Sequence, residues 1–330
     1  MAESATERPA DPATGGAPAA EPAAPPTATG LVVGVLRTAR PRQWIKNVLV
    51  VAAPAAAGEL LSRHAAVGLT IVFVLFTTAA SAVYLINDAR DAEADRAHPE
   101  KCHRPVAAGQ VPVALAYTVG GTLAVLAPLA AYLFCTPMTA VLLAGYVVMQ
   151  LAYCVSLKHV LVVDLVVVTT GFLMRAMIGG VALDIPLSRW FLITAGFGSL
   201  FMVSAKRYSE AVMVASAEPE EAGATRALLS QYTVGYLRFV WQLAAGVAVL
   251  AYCLWALEGG ATPGAGGDSG GLLAWRQLSM VPFILAVLRY AVFADRAAAG
   301  APEDVLLKDR ALALIGLAWV VLFGLAVIDW

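Results

Sequence analysis

Uncharged apolar runs, separated by short polar and often basic segments, repeat along most of the chain. A helix rises 1.5 Å per residue, so about 20 apolar residues cross a hydrocarbon layer of roughly 30 Å. Ala65 to Ile86 is one such run, and Val111 to Leu157 carries no charge at all. As a single helix the second run would extend ~70 Å, so it must be two spans, and Thr136-Pro137 marks the break. Val160 to Ala182 follows, containing Asp164 and Arg175, then Trp190 to Ala205, Phe239 to Leu257 and Ala311 to Ile328. Gln277 to Ala294 is weaker because Arg289 interrupts it, and Asn47 to Leu61 is weakest, being short and holding Pro54 and Glu59. The pattern predicts an all-α polytopic membrane protein with nine transmembrane helices.

Composition agrees. Hydrophobic residues make up 60% of the chain and charged residues 14%, against roughly 25% charged in soluble domains. A soluble enzyme, a disulfide scaffold and a disordered adaptor are thereby excluded. The net charge of −1 gives no bulk attraction to nucleic acid. Cys102, Cys135, Cys154 and Cys253 show no C-x-x-C spacing and read as free thiols, three of them in apolar runs. Residues 1–30 are rich in Ala and Pro with scattered acids, which predicts a disordered cytoplasmic tail ahead of a single domain over 31–330.

Charge placement sets the expected orientation. Outside the spans and the tail, only Arg63, Arg189 and Arg276 fall on the far side; every other Lys and Arg falls on the side of the N-terminus. The positive-inside rule makes that side cytoplasmic. Trp44 falls near the inner boundary, and Trp190, Trp275 and Trp330 near the outer one. Gly259 to Gly271 reads as an external Gly-rich loop.

The chemistry concentrates where the second span ends, at Asn87-Asp88-Ala89-Arg90-Asp91-Ala92-Glu93-Ala94-Asp95. Spacings of three and four put Asp88, Asp91 and Asp95 on one face of a helix. Like charges so close need a cation, and hard oxygen ligands without Cys or His suit Mg²⁺. Arg96, Lys101, His103 and Arg104 follow immediately, closed by Pro105 and Gly109. Carboxylates for a metal and cations for phosphate oxygens, side by side, form a constellation for a metal–diphosphate. Asp164 and Arg175 are three helical turns apart and read either as ligand contacts or as helix braces.

N-D-x-x-D-x-x-x-D at the end of a second span, followed by K-x-x-R-P-V-x-x-G, resembles the UbiA superfamily of intramembrane prenyltransferases. The resemblance implies a UbiA-like helical bundle with a cytoplasm-facing active-site cavity, in which Asp88, Asp91 and Asp95 hold Mg²⁺ on a diphosphate. Family members carry a second D-x-x-x-D after the sixth span, but this chain has Lys206-Arg207-Tyr208-Ser209-Glu210 there. Glu218, Glu220 and Glu221 come later. With Arg40-Pro41-Arg42-Gln43-Trp44-Ile45-Lys46-Asn47 and Ser156-Leu157-Lys158-His159, the chain is similar to one branch of that superfamily. In that branch phosphoribosyl pyrophosphate (PRPP) is the donor and a polyprenyl (decaprenyl) phosphate the acceptor, giving a precursor of cell-wall arabinan at the plasma (inner) membrane. The resemblance implies Asn47, Asn87, Lys46, Lys101, Arg104, Lys158, Lys206, Arg207 and Glu210 at the substrates, and a cationic site in place of the second aspartate motif. Three phosphate-bearing groups demand that excess of cations. The alternative is an aromatic prenyltransferase using a polyprenyl diphosphate. A transporter is disfavoured by the one-sided charge and the lack of matched interrupted helices. A homo-oligomer is left open.

Overall fold

A computed structural model describes residues 28–60, 62–216, 231–258, 274–301, 305 and 308–328. The tail before Ala28, the acids at 218–221, the Gly-rich loop at 259–271 and Trp330 lie outside the described residues. Helices are the only regular elements among the described residues, with no strand. In chain order the helices are α1 Ala28–Thr38, α2 Ala52–Ala57, α3 Arg63–Arg90, α4 Ala92–Arg96, α5 Val113–Phe134, α6 Pro137–Val155 and α7 Val163–Ala182. They continue with α8 Arg189–Ser216, α9 Val234–Glu258, α10 Trp275–Leu278, α11 Met280–Asp295 and α12 Arg310–Ile328. A 3₁₀ segment, Pro41–Val51, runs into α2.

Seven helical stretches among the described residues are long and apolar enough to cross a membrane, with α10 and α11 forming one of them. The chain is a multi-pass membrane protein. The two remaining stretches expected to span differ for physical reasons. Asn47 to Leu61 is split between the 3₁₀ segment and α2, which stops at Gly58 in the left-handed region (φ 80°). In α8 the apolar run ends at Lys206-Arg207, yet the helix continues to Ser216. The break between α5 and α6 falls where Thr136-Pro137 puts it. The Thr136 side chain caps the Thr139 amide at 3.2 Å, and Pro137 occupies the first turn, where its missing N–H costs nothing.

Packing proceeds from neighbour to neighbour: α3 on α5, α5 on α6, α6 on α7, α7 on α8, α8 on α9 and α11 on α12. Contacts between α12 and α2 bring the last helix back to the early part of the chain. Lipid is as apolar as a side chain, so close backbone approach holds such helices together. A Cβ at Gly179 would lie 1.8 Å from the Val50 carbonyl oxygen, so only glycine lets α7 cross the 3₁₀ segment there. One core gathers Val50, Val72, Phe76, Leu143, Tyr146 and Ile178 in the first half, and another gathers Phe201, Tyr208, Trp241 and Tyr290 in the second. A third, Leu85, Ala89, Ala92, Val106, Val111 and Ala116, lies directly beneath the aspartate motif. All four cysteines are free.

Arg175 is a brace. Its Nε donates to Asn47 Oδ1 at 3.0 Å, Nη1 to the Gly171 carbonyl at 2.8 Å and Nη2 to the Tyr146 hydroxyl at 2.7 Å. Its guanidinium also lies over the rings of Phe76, Tyr146 and Phe172. Asn47 completes the link by donating to Thr77 at 3.0 Å. The 3₁₀ segment, α3, α6 and α7 are thus tied to one buried cation. Arg175→Ala leaves Asn47 Oδ1 and the Tyr146 hydroxyl without these donors inside the bundle, at about 1–3 kcal/mol each. Thermal unfolding in detergent should therefore fall by several degrees or more, and an unchanged midpoint would contradict the bracing role.

Candidate active site

Helix α3 ends at Arg90, and a single turn residue, Asp91, separates it from α4. Helical hydrogen bonds run on through that turn, from the Asp91 amide to the Asn87 carbonyl at 2.9 Å and from the Asp95 amide to the Asp91 carbonyl at 2.8 Å. Asp88 and Asp95 are 2% and 4% exposed and share a cation, whereas Asp91 is half-buried and meets a different one. Arg104 Nη1 bridges the buried pair, at 2.7 Å from Asp95 Oδ2 and 3.4 Å from Asp88 Oδ1. Lys158 Nζ lies 3.3 Å from Asp91 Oδ2. Arg104 arrives on the turn between Arg96 and Pro105, and that turn is pinned because Arg96 Nε donates to the Ala107 carbonyl at 3.2 Å.

Arg40, part of the basic segment before the first expected span but not among the expected site residues, enters the site. Its Nη2 donates to Asp88 Oδ1 at 2.6 Å and its guanidinium lies 4.7 Å from the Tyr84 ring centroid. Arg40 has φ 56° and ψ 65°, a left-handed backbone that an arginine rarely adopts. Such an outlier is held only where its surroundings insist on it. The signal was present in the chain: Arg40 stands before Pro41 and breaks α1 from the 3₁₀ segment. Its partner, however, is 48 positions away.

Arg90 joins this cluster to a second one. Its two terminal nitrogens donate to the carbonyls of Cys154 and Val155 at 2.7 and 3.1 Å, capping the C-terminus of α6. One residue back, the Tyr153 hydroxyl donates to Asp164 Oδ1 at 2.6 Å. Arg207 Nη2 donates to that same oxygen at 3.1 Å and its Nη1 to Glu210 Oε2 at 3.1 Å, while Lys206 lies 3.8 Å from Glu210. The site expected to be cationic is therefore charge-balanced: Asp164 and Glu210 offset Lys206 and Arg207. Spacing along α8 alone could not reveal Asp164, which reaches in from α7. Asp164 is anchored at Val162, whose φ of 66° is strained for a β-branched residue and whose amide donates to the Tyr232 hydroxyl at 2.8 Å. Burial pushes the Tyr232 phenol up.

Lys46, Lys101 and Asn87 are half-buried. Asn47, expected at the substrate, is 1% exposed, and both atoms of its amide are engaged by Thr77 and Arg175. Among the described residues no three His, Cys, Asp or Glu side chains form a ready-made metal cage. Mg²⁺ does not require one, since it binds through one or two carboxylates with waters and substrate phosphates. The hard-oxygen donors of Asp88, Asp91 and Asp95 fit that ion.

A cavity of about 750 Å³ opens at the opposite end of the bundle, between Glu59, His64, Asp184, Trp190, Trp255 and Arg276. It is remote from the aspartates.

Comparison with known proteins follows the same lines. Residues 48–292 match the UbiA prenyltransferase family. The chain is 50% identical to the decaprenyl-phosphate phosphoribosyltransferase of Mycobacterium tuberculosis over 90% of its own length and 95% of that protein's. It is 47% identical to the enzyme of that name from Mycolicibacterium smegmatis (93% and 96% covered) and 45% identical to that from Corynebacterium glutamicum (90% and 87%). A UbiA homolog from Archaeoglobus fulgidus bound to GPP and Mg²⁺ superposes with a TM-score of 0.63 at 15% identity, covering 90% of this chain and all of that one. A digeranylgeranylglyceryl phosphate synthase superposes at 0.61 with 14% identity, covering 91% of this chain and 99% of that one. At such identity the likeness is one of fold. Motif, bundle and relatives agree: the chain belongs to the UbiA prenyltransferase family.

Proposed function

We propose that this protein transfers 5-phosphoribosyl from PRPP to a polyprenyl phosphate, decaprenyl phosphate by analogy with its relatives, and releases diphosphate. The observation that carries the reading is the aspartate motif meshed with three cations from separate parts of the chain, Arg40, Arg104 and Lys158. Carboxylates suited to a metal and donors suited to phosphate oxygens thus occupy one place, and the names of relatives at 45–50% identity supply the substrate class. The one-sided distribution of basic residues supports a cytoplasmic aspartate end, where PRPP is accessible.

Mg²⁺ held by Asp88, Asp91 and Asp95 would act as a Lewis acid on the diphosphate oxygens. Arg40, Arg104 and Lys158 orient the diphosphate and neutralise the charge that grows on it as its bond to C1 of the ribose breaks. Lys46 and Lys101 add positive charge for the remaining phosphates. An oxygen of the lipid phosphate attacks C1 from the opposite face, so the new C1–O bond forms with inversion. That oxygen is already anionic, and the chain need hold no general base for it. The lipid tail stays in hydrocarbon between the helices.

Membranes containing the protein, given labelled PRPP or labelled polyprenyl diphosphate in parallel, test the reading. Label should pass from PRPP to a lipid-extractable product. Transfer from the polyprenyl diphosphate alone would overturn it.

A further inference from the structure

The reaction described above gives no task to Asp164. Its side chain is fully buried, at the first turn of α7. Oδ1 receives Tyr153 and Arg207, whereas Oδ2 is buried without a hydrogen-bond partner. A buried carboxylate is poorly suited to holding helices together, since apolar residues do that at no desolvation cost. What this one does is fix an arginine. With Asp164 on one terminal nitrogen and Glu210 on the other, the Arg207 guanidinium has a set plane and retains three N–H groups beyond these two bonds. Glu210, partly exposed, retains acceptor capacity at Oε1, which meets Lys206 only at 3.8 Å.

Charge decides what such a site can take. Lys206 and Arg207 are offset by Asp164 and Glu210, so the cluster has no surplus for a phosphate dianion. Donors and acceptors fixed side by side on a neutral ion pair instead match the hydroxyls of a sugar, which donate and accept at once. The place suits that ligand. The cluster and the aspartate motif meet at the C-terminal end of α6, where Tyr153 in its last turn donates to Asp164 and Lys158, three residues past the helix, pairs with Asp91.

Resting on the phosphoribosyl-transfer reading, we propose that Arg207 and Glu210 read the ribose hydroxyls of the donor, and that Asp164, fixed by Tyr153, is the positioning residue that aims Arg207. The unit makes the protein select a sugar diphosphate over a lipid diphosphate at the very place where its family otherwise carries a second pair of aspartates.

The test compares PRPP with donors lacking the 2- or the 3-hydroxyl, using purified enzyme with polyprenyl phosphate held saturating. Wild type should favour PRPP over at least one deoxy donor by tenfold or more in kcat/KM. Glu210→Gln should shrink that preference to within about threefold. Asp164→Asn should raise the KM for PRPP on the order of tenfold while leaving the KM for the lipid acceptor unchanged. Tyr153→Phe carries the same prediction at smaller size and serves should Asp164→Asn fail to fold. An undiminished preference in Glu210→Gln, or a rise in the acceptor's KM in place of the donor's, would overturn the proposal while leaving phosphoribosyl transfer intact. A wild type that transfers nothing from PRPP would instead remove the reading on which the proposal rests.

Discussion

Asp91→Ala is expected to lower phosphoribosyl transfer by on the order of 10³-fold, because a lost metal ligand removes several kcal/mol of charge stabilisation from the transition state. Of the three motif carboxylates it offers the cleanest substitution. Asp88 and Asp95 are buried and knitted to Arg40 and Arg104, so removing either leaves a hole inside the bundle and an arginine short of a partner, whereas Asp91 and its partner Lys158 are both partly open to solvent. Asp91 is half-buried, sits at the turn between α3 and α4, and is held by Lys158 at 3.3 Å. Its loss should leave the thermal midpoint within a few degrees of wild type. The check is a Mg²⁺ titration of initial rate beside a melting curve. Near-normal turnover in a folded variant would remove Asp91 from the metal site.

Arg104→Ala has the second large effect, and it is structural as well as chemical. Arg104 lies between two carboxylates that are 2% and 5% exposed on their side chains. Without it Asp88 keeps Arg40, but Asp95 loses its cation and the two acids face each other. Breaking a fully buried pair costs about 3–5 kcal/mol. With Arg40 still in place and Arg104 itself 28% exposed, about 2–3 kcal/mol is the reasonable share. A divalent ion is the natural replacement for the missing charge. Mg²⁺ should therefore raise the melting temperature of Arg104→Ala by more than it raises that of wild type, by linkage to the folded state. A variant that melts like wild type and ignores Mg²⁺ would show that Arg104 is not part of the carboxylate cluster.

Much of this was legible in the chain. Apolar runs located most of the helices, and the uncharged stretch from 111 to 157 split at Thr136-Pro137 because proline and a capping hydroxyl act locally. Gln277 to Ala294 was a weak candidate because of Arg289; in the fold that arginine pairs with Asp309 at 2.7 Å, on the residue that also caps α12. Local rules failed where distant partners decide. Asn47 to Leu61 read as one helix, yet Gly179 of α7 crosses there and Arg175 grips Asn47, and the segment packs as a 3₁₀ turn followed by a short helix. The helical spacing of Asp88, Asp91 and Asp95 is a local property, but the cation that meets Asp91 is Lys158, 67 positions away. Arg40 was visible as a charge but not as a member of the site, and for Asp164 a ligand contact and a helix brace were both open. Their partners lie on other helices, and no periodicity records such a pairing.

The central claim is that a divalent ion on the α3 aspartates is what makes PRPP bind at this end of the bundle. Isothermal titration of PRPP into purified protein, with Mg²⁺ and then with excess chelator, tests it most directly. The account predicts saturable binding with Mg²⁺, loss of that binding with chelator, and the same loss in Asp91→Ala when Mg²⁺ is present. Binding of equal strength in chelator, or no binding of PRPP under any condition, would contradict it.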